Sequence, residues 1–145
     1  MTEFSAAIEL TFDAAHRLYK YQGKCGMLHG HTYRVRVVVA TSELDGEDMV
    51  ADFGRLKEVV KSLLLLYDHH TLLNMEDPLV QVIESLDAPD AVVAFRSNPT
   101  AEVLAEDILS RCRGLGMMLG AAKEDRLRVI EVAVWETPTS CAMAR

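Results

Sequence analysis

The segment His29-Gly30-His31-Thr32-Tyr33-Arg34-Val35-Arg36-Val37-Val38-Val39 decides the fold of this chain. An apolar series alternates in it with a basic one, Tyr33, Val35, Val37 and Val39 against Arg34 and Arg36. This alternation predicts a β-strand with one buried face. His29 and His31 fall on the apolar parity, and side chains two positions apart leave the same face of a strand. The segment therefore predicts a sheet whose core-facing side carries two histidines.

A second alternating segment lies near the N-terminus and leads to a third histidine. Its apolar parity is Phe4, Ala6, Ile8, Leu10 and Phe12, and His16 falls on that parity just past the expected strand end. Catalytic zinc sites offer three protein ligands and leave a fourth position open, whereas structural sites close all four positions. His16, His29 and His31 are therefore the candidate ligands of a catalytic Zn²⁺.

Cys25 lies four residues before His29 and leaves two interpretations of the metal site open. It is either a thiol that takes part in proton transfer or a fourth ligand that closes the site and makes the zinc structural. Core packing alone also accounts for a pair of histidines in a strand, although the third histidine and the thiol argue against it.

Asp68-His69-His70 follows a predicted amphipathic helix that runs from Asp52 to Tyr67. A carboxylate bonded to a histidine fixes the tautomer of the ring and raises its basicity, so this pair is a candidate proton relay for Cys25. Adjacent helical residues do not face each other, so the dyad requires the helix to break at this point. The helix dipole also favours a histidine at a C-terminus, so a purely structural role stays open.

The second half of the chain predicts shorter elements. They are a helix from Asp77-Pro78 to Leu86, a strand from Ala91 to Phe95, a helix opened by Asn98-Pro99 that ends near Gly114, and a strand from Arg126 to Thr137. Thr100 and Glu102 lie in the first turn of the Asn98-Pro99 helix. Glu136 continues the apolar parity of the last strand, so its carboxylate needs a partner or an exposed rim position. This order of elements predicts an α+β sandwich.

Length and charge limit the classes of function. The 145 residues suit one domain, 1–145, and the net charge of −7 argues against a nucleic-acid partner. Arg17, Lys20 and Lys24 could still hold a small phosphorylated substrate. The longest apolar runs are far short of a membrane span, so no membrane partner is expected. Three widely spaced cysteines and the absence of a visible secretory signal favour a cytoplasmic location.

Six short motifs, in order along the chain, are similar to those of one known family. They are Phe12-Asp13-Ala14-Ala15-His16-Arg17-Leu18, Cys25 to His31, Asp52-Phe53 with Leu56-Lys57, Leu66 to His70, Asn98-Pro99-Thr100-Ala101-Glu102, and Glu136-Thr137. On these motifs the chain resembles the 6-pyruvoyltetrahydropterin synthase family, and most closely its bacterial 6-carboxytetrahydropterin synthase branch. The residues between Asn74 and Asn98 form a longer insert than shorter members of the family have.

The resemblance implies the tunnelling fold (T-fold), a four-stranded antiparallel sheet with helices on one face, whose subunits join their sheets into a barrel. It implies a homohexamer, a dimer of trimers, with active sites at subunit interfaces. It also implies a role for each candidate: His16, His29 and His31 as zinc ligands; Cys25, Asp68 and His69 as catalytic residues; Glu136, Thr100 and Glu102 as pterin-binding residues.

The implied substrate is 7,8-dihydroneopterin triphosphate, and the implied products are 6-carboxy-5,6,7,8-tetrahydropterin, acetaldehyde and triphosphate, on the route to queuosine. Two alternatives remain at this point. One is 6-pyruvoyltetrahydropterin formation, in which triphosphate is eliminated without carbon–carbon cleavage. The other is a non-catalytic oligomer that binds zinc or pterin.

Overall fold

A long antiparallel hairpin forms the centre of the sheet. In a computed structural model that describes residues 1–86, 89–120 and 126–145, strand β1 (Phe4–His16) pairs with β2 (His29–Thr41) along its whole length. The register sets Phe4 opposite Thr41 and His16 opposite His29. The alternation of both strands is confirmed, and β1 extends through His16 instead of ending before it.

Within the described ranges the sheet has six strands, in the order β4-β3-β1-β2-β5-β6. The other strands are β3 (Thr71–Asn74), β4 (Val92–Phe95), β5 (Arg128–Thr137) and β6 (Ser140–Ala144). The predicted four-stranded antiparallel sheet is therefore wrong in strand number and in part of its pairing, because β1–β3 and β3–β4 are parallel. The two strands that prediction missed have four and five residues, too few for a clear alternation.

The helices pack on one face of the sheet, as expected for a T-fold. They are α1 (Phe53–Leu64), α2 (Leu79–Leu86), α3 (Ala101–Cys112) and α4 (Leu115–Met118). Leu56 and Val60 of α1 and Leu104 and Ile108 of α3 are fully buried against the core-facing side chains of β1, β2 and β5. None of the helices among the described residues is long and apolar enough to cross a membrane.

Capping side chains define where the two main helices begin. Asp52 Oδ1 accepts from the Arg55 N–H at 2.7 Å, and Thr100 Oγ1 accepts from the Val103 N–H at 3.3 Å. The α1 helix stops at Leu64, and three residues of turn follow before Asp68. His69 then adopts a left-handed backbone conformation with φ of 61°. The helix therefore breaks at the point that the Asp68-His69 dyad requires.

The insert between Asn74 and Asn98 contains α2 and β4, as predicted, while residues 87 and 88 of the insert lie outside the described residues. β4 is hydrogen-bonded to β3 within the sheet. The α2 helix buries none of its residues and leaves Val82 and Leu86 exposed. The strand of the insert is thus part of the sheet, whereas its helix lies at the surface.

Candidate active site

Three imidazole rings converge at one end of the β1–β2 hairpin. His16 and His29 are opposite each other in register, and His31 lies two residues further along the same face of β2. One ligand atom from each ring lies within 4.8 Å of the others. His16 Nε2 and His29 Nε2 are 3.2 Å apart. Two nitrogens that bind the same tetrahedral zinc at its usual bond length are about 3.3 Å apart, so this spacing suits one shared ion.

Backbone carbonyls orient two of the three rings. A carbonyl oxygen can only accept, so His16 Nδ1–H donates to Pro99 O at 2.9 Å and His29 Nδ1–H donates to Met27 O at 2.7 Å. The proton on Nδ1 leaves Nε2 of each ring as the free lone pair. A hydrogen bond from one ring nitrogen to a carbonyl is the usual way in which a protein selects the other nitrogen of a histidine as the metal ligand.

His31 provides a further test of whether these residues suit a metal ion. Its Nε2 is buried and has no hydrogen-bond partner among the described residues, which is costly for a polar atom unless something else satisfies it. A cation held by the three rings would satisfy this nitrogen. The donor set, three imidazoles with no carboxylate among them, also suits zinc.

The environment favours the neutral form of these rings. The pKa of His16 is lowered to about 4, chiefly by burial; the hydrogen bond to the Pro99 carbonyl opposes this shift, and the neighbouring His29 and His31 add to it. Burial also lowers the pKa of His31, with His29 contributing. A neutral imidazole is the form that binds a metal, so both groups are ready to ligate at neutral pH.

A cavity of about 390 Å³ adjoins the cluster at the His16 ring. It brings together five of the candidate residues from the sequence, His16, Cys25, Thr100, Glu102 and Glu136. Glu136 Oε1 is 3.9 Å from His16 Nε2, and the Glu136 side chain is 28% exposed. Burial and the nearby Glu102 raise the pKa of Glu136, while His29 lowers it. The carboxylate therefore lies at a half-buried rim, where a polar ligand could satisfy it.

The Asp68-His69 dyad is formed, but it borders a different cavity. His69 Nδ1 is 3.1 Å from Asp68 Oδ1, and the His69 ring is 78% exposed. Hydrogen bonding from the Asp13 N–H, together with His69, lowers the pKa of Asp68. His69 lines the second cavity with Gly30, His31 and Thr32, whereas Cys25 lines the first. One chain thus does not bring Cys25 and His69 into the same cavity.

Arg17, one of the basic residues expected to hold a phosphorylated substrate, forms an ion pair within the chain instead. Arg17 is engaged by the buried carboxylate of Asp77, with Nε donating to Oδ2 at 2.6 Å and an Nη to Oδ1 at 2.5 Å. The bidentate pair lowers the pKa of Asp77 and raises that of Arg17. Arg17 therefore ties the loop after His16 to the start of α2.

Sequence reasoning missed several residues of this site. Pro99 carries the carbonyl that orients His16, and Ser140, Cys141 and Ala142 of β6 line the first cavity. The Tyr33 hydroxyl is buried and has no hydrogen-bond partner in the part of the chain that the structure describes, and the Tyr33 ring lies 5.4 Å from that of His31. Only Tyr33 left a signal in the sequence, since it continues the parity of His29 and His31.

Comparison with known proteins shows the family to which this chain is similar. A family model described as 6-pyruvoyl tetrahydropterin synthase matches residues 6–145. The 6-carboxy-5,6,7,8-tetrahydropterin synthase of Haemophilus influenzae is 31% identical, and the match covers 94% of this chain and 95% of that protein. The protein of the same name from Aquifex aeolicus is 32% identical, with coverage of 90% and 91%.

Solved structures show the same fold. An uncharacterized protein from Wolinella succinogenes has a TM-score of 0.79 at 23% identity, over 99% of this chain and 98% of that one. The 6-pyruvoyltetrahydropterin synthase of Plasmodium vivax has a TM-score of 0.74 at 21% identity with the same coverage. At this level of identity the likeness concerns the fold alone.

Proposed function

The chain belongs to the 6-pyruvoyl tetrahydropterin synthase family, and from this we propose that it is a zinc-dependent lyase that forms 6-carboxy-5,6,7,8-tetrahydropterin. The proposed substrate is 7,8-dihydroneopterin triphosphate, and acetaldehyde and triphosphate are the other products. The names of the relatives from Haemophilus influenzae and Aquifex aeolicus support this choice of product. The observation that carries the proposal is the convergence of three histidine nitrogens beside a cavity that Cys25 and Glu136 also line.

His16, His29 and His31 would hold the zinc. Zinc bound there supplies a Lewis acid that polarises a substrate oxygen and stabilises negative charge. The chain provides the rigid frame for this: two of the rings are fixed by backbone carbonyls, and His16 is only 2% exposed.

Glu136, Thr100 and Glu102 are the proposed pterin-binding residues. All three line the first cavity. A carboxylate suits the adjacent N–H donors on the amino-pyrimidine edge of a pterin, because it can accept two hydrogen bonds at once. Binding this edge at Glu136 would place the pterin beside the histidines, since Glu136 Oε1 lies 3.9 Å from His16 Nε2.

Cys25, Asp68 and His69 are the proposed proton-transfer groups. Because Cys25 and His69 border different cavities of one chain, we propose that the relay is completed between subunits. The 78% exposure of His69 leaves it free to meet a neighbouring subunit. A homohexamer of two trimers, with active sites at the interfaces, is the assembly proposed.

We also propose a cytoplasmic location and a place in queuosine biosynthesis. Cys25, Cys112 and Cys141 are all free thiols, which is typical of proteins from reducing compartments. The pathway assignment rests on the proposed product and has the same test.

The deciding experiment is incubation of the zinc-loaded protein with 7,8-dihydroneopterin triphosphate under reducing conditions. We expect release of acetaldehyde and a product with the mass of 6-carboxytetrahydropterin. A product with the mass of 6-pyruvoyltetrahydropterin and no acetaldehyde would instead establish the pyruvoyl alternative. Absence of both products, with substrate still bound, would establish a non-catalytic pterin-binding oligomer and overturn the proposal.

A further inference from the structure

The side-chain amide of Asn98 makes a two-way contact with the backbone of Tyr19. The Tyr19 N–H donates to Asn98 Oδ1 at 2.9 Å, and Asn98 Nδ2 donates to the Tyr19 carbonyl at 3.1 Å. A carboxamide offers an acceptor and a donor side by side, which a carboxylate or a hydrocarbon of similar size cannot do. Residue 98 therefore has a specific chemical reason to be asparagine.

The contact at Tyr19 extends to the loop that carries the thiol. The Leu18 N–H donates to Cys25 O at 2.8 Å, and the Tyr21 N–H donates to Leu18 O at 3.2 Å. A Cβ on Gly26 would lie 2.5 Å from Tyr21 O, so the loop is folded closely on itself. Because Leu18 is adjacent to Tyr19 in the chain and is hydrogen-bonded to Cys25, holding the backbone at Tyr19 also restrains the backbone at Cys25.

The next residue along from Asn98 contacts the metal centre. Pro99 is buried, and its carbonyl accepts from His16 Nδ1. Two successive residues just before α3 thus contact two different parts of the site. Asn98 contacts the loop that carries Cys25, and Pro99 contacts the ring of His16.

We propose that Asn98 is a positioning residue that sets the distance between Cys25 and the metal-binding face of His16. The effect of Asn98 on catalysis rests on the proposed function. The contact between Asn98 and the Tyr19 backbone, here called the clamp, is a property of the fold. The Arg17–Asp77 pair also anchors this loop, so loss of Asn98 should loosen the loop without unfolding it. Asn74 Nδ2, 3.4 Å from Asn98 Oδ1, helps to orient the amide.

The test compares Asn98→Ala with Asn98→Asp, and with Val60→Ala as a control for general loss of stability, since Val60 is a buried core residue of α1. Hydrogen–deuterium exchange at the Leu18 amide, which bonds to Cys25 O, is the main measurement. We expect Asn98→Ala to raise its exchange rate about tenfold, the factor expected for one or two net hydrogen bonds. Asn98→Asp keeps the acceptor and loses the donor, so it should give a smaller rise.

Zinc content and steady-state kinetics separate positioning from a merely structural role. Asn98→Ala should keep three-histidine zinc binding and lower kcat while leaving KM nearly unchanged, because the substrate-binding residues are untouched. Val60→Ala should raise exchange across the core and leave kcat unchanged.

Exchange at Leu18 equal to that of the wild type in both Asn98 variants would overturn the proposal. A rise spread evenly over the chain, as in Val60→Ala, would overturn it as well. If Asn98→Ala does not fold, Asn98→Asp alone decides. If the wild type shows no turnover, the proposed function fails, while the exchange measurement still decides whether Asn98 clamps the loop.

Discussion

Acidification should destabilise the metal-free protein through His16. The pKa of His16 is lowered from 6.5 to about 4 in the folded state, chiefly by burial. The folded state therefore disfavours the charged ring. Between these two pKa values the unfolded chain binds a proton at His16 and the folded chain does not. The stability that follows is present in full above the unfolded pKa and is lost as the pH falls towards the folded one.

The magnitude follows from these two values. Between about pH 7.5 and about pH 4.5, the linkage relation gives a loss of about 2.5 kcal/mol from this one residue. Protonation of His31 acts in the same direction, because burial lowers its pKa also. Asp68 and Asp77 have lowered pKa values, so their contributions are lost only as the pH falls below about 4. The raised pKa of Glu136 acts with the opposite sign in this window, but Glu136 is present in both proteins compared below, so the difference between them reports on His16.

Urea unfolding of wild type and His16→Gln at a series of pH values, with chelator present and protein concentration fixed, measures this effect. The difference in free energy of unfolding between the two proteins should shrink by about 2.5 kcal/mol across the window. Val60→Ala, which removes no titrating group, should show a constant difference from wild type. A change of less than about 1 kcal/mol for His16→Gln would refute the claim that the fold holds His16 neutral.

Further predictions concern single groups of the site. Cys25→Ala should retain zinc, measured by metal analysis, and lose more than about 100-fold in kcat, the scale of a positioned proton-transfer group; loss of metal would instead identify Cys25 as a structural ligand. Glu136→Gln should raise KM for the pterin substrate by about tenfold or more, because a charge-assisted hydrogen bond is lost, and an unchanged KM would remove Glu136 from the binding site. Asp77→Ala should lower the free energy of unfolding by about 2–3 kcal/mol in urea titrations, because it breaks a bidentate pair with Arg17 and leaves the cation half-buried; a loss below about 0.5 kcal/mol would show that the pair contributes little.

Local patterns account for what could be predicted of the fold. Strands β1 and β2 and helix α1 follow from alternation and helical spacing, which span a few positions. Strand parity placed His29 and His31 on one face for the same reason. β3 and β6 gave no such signal, because a strand of four or five residues is defined by its partners across the sheet. The helix expected from Asn98-Pro99 is also present as α3, but it begins at Ala101 with Thr100 as its N-cap, so Thr100 lies before the first turn.

What the sequence determined by itself was the set of chemical groups: three imidazoles at strand spacing, a thiol before them, and a carboxylate on the apolar parity of the last strand. The tertiary structure decided which groups meet. It brought the Pro99 carbonyl into hydrogen-bonding contact with His16, 83 positions away in the sequence, and it paired Arg17 with Asp77. It also placed Cys25 and His69 at separate cavities. The physical reason is that periodicity encodes which face a side chain occupies, whereas contact between distant segments depends on how the whole sheet pairs and how its helices pack.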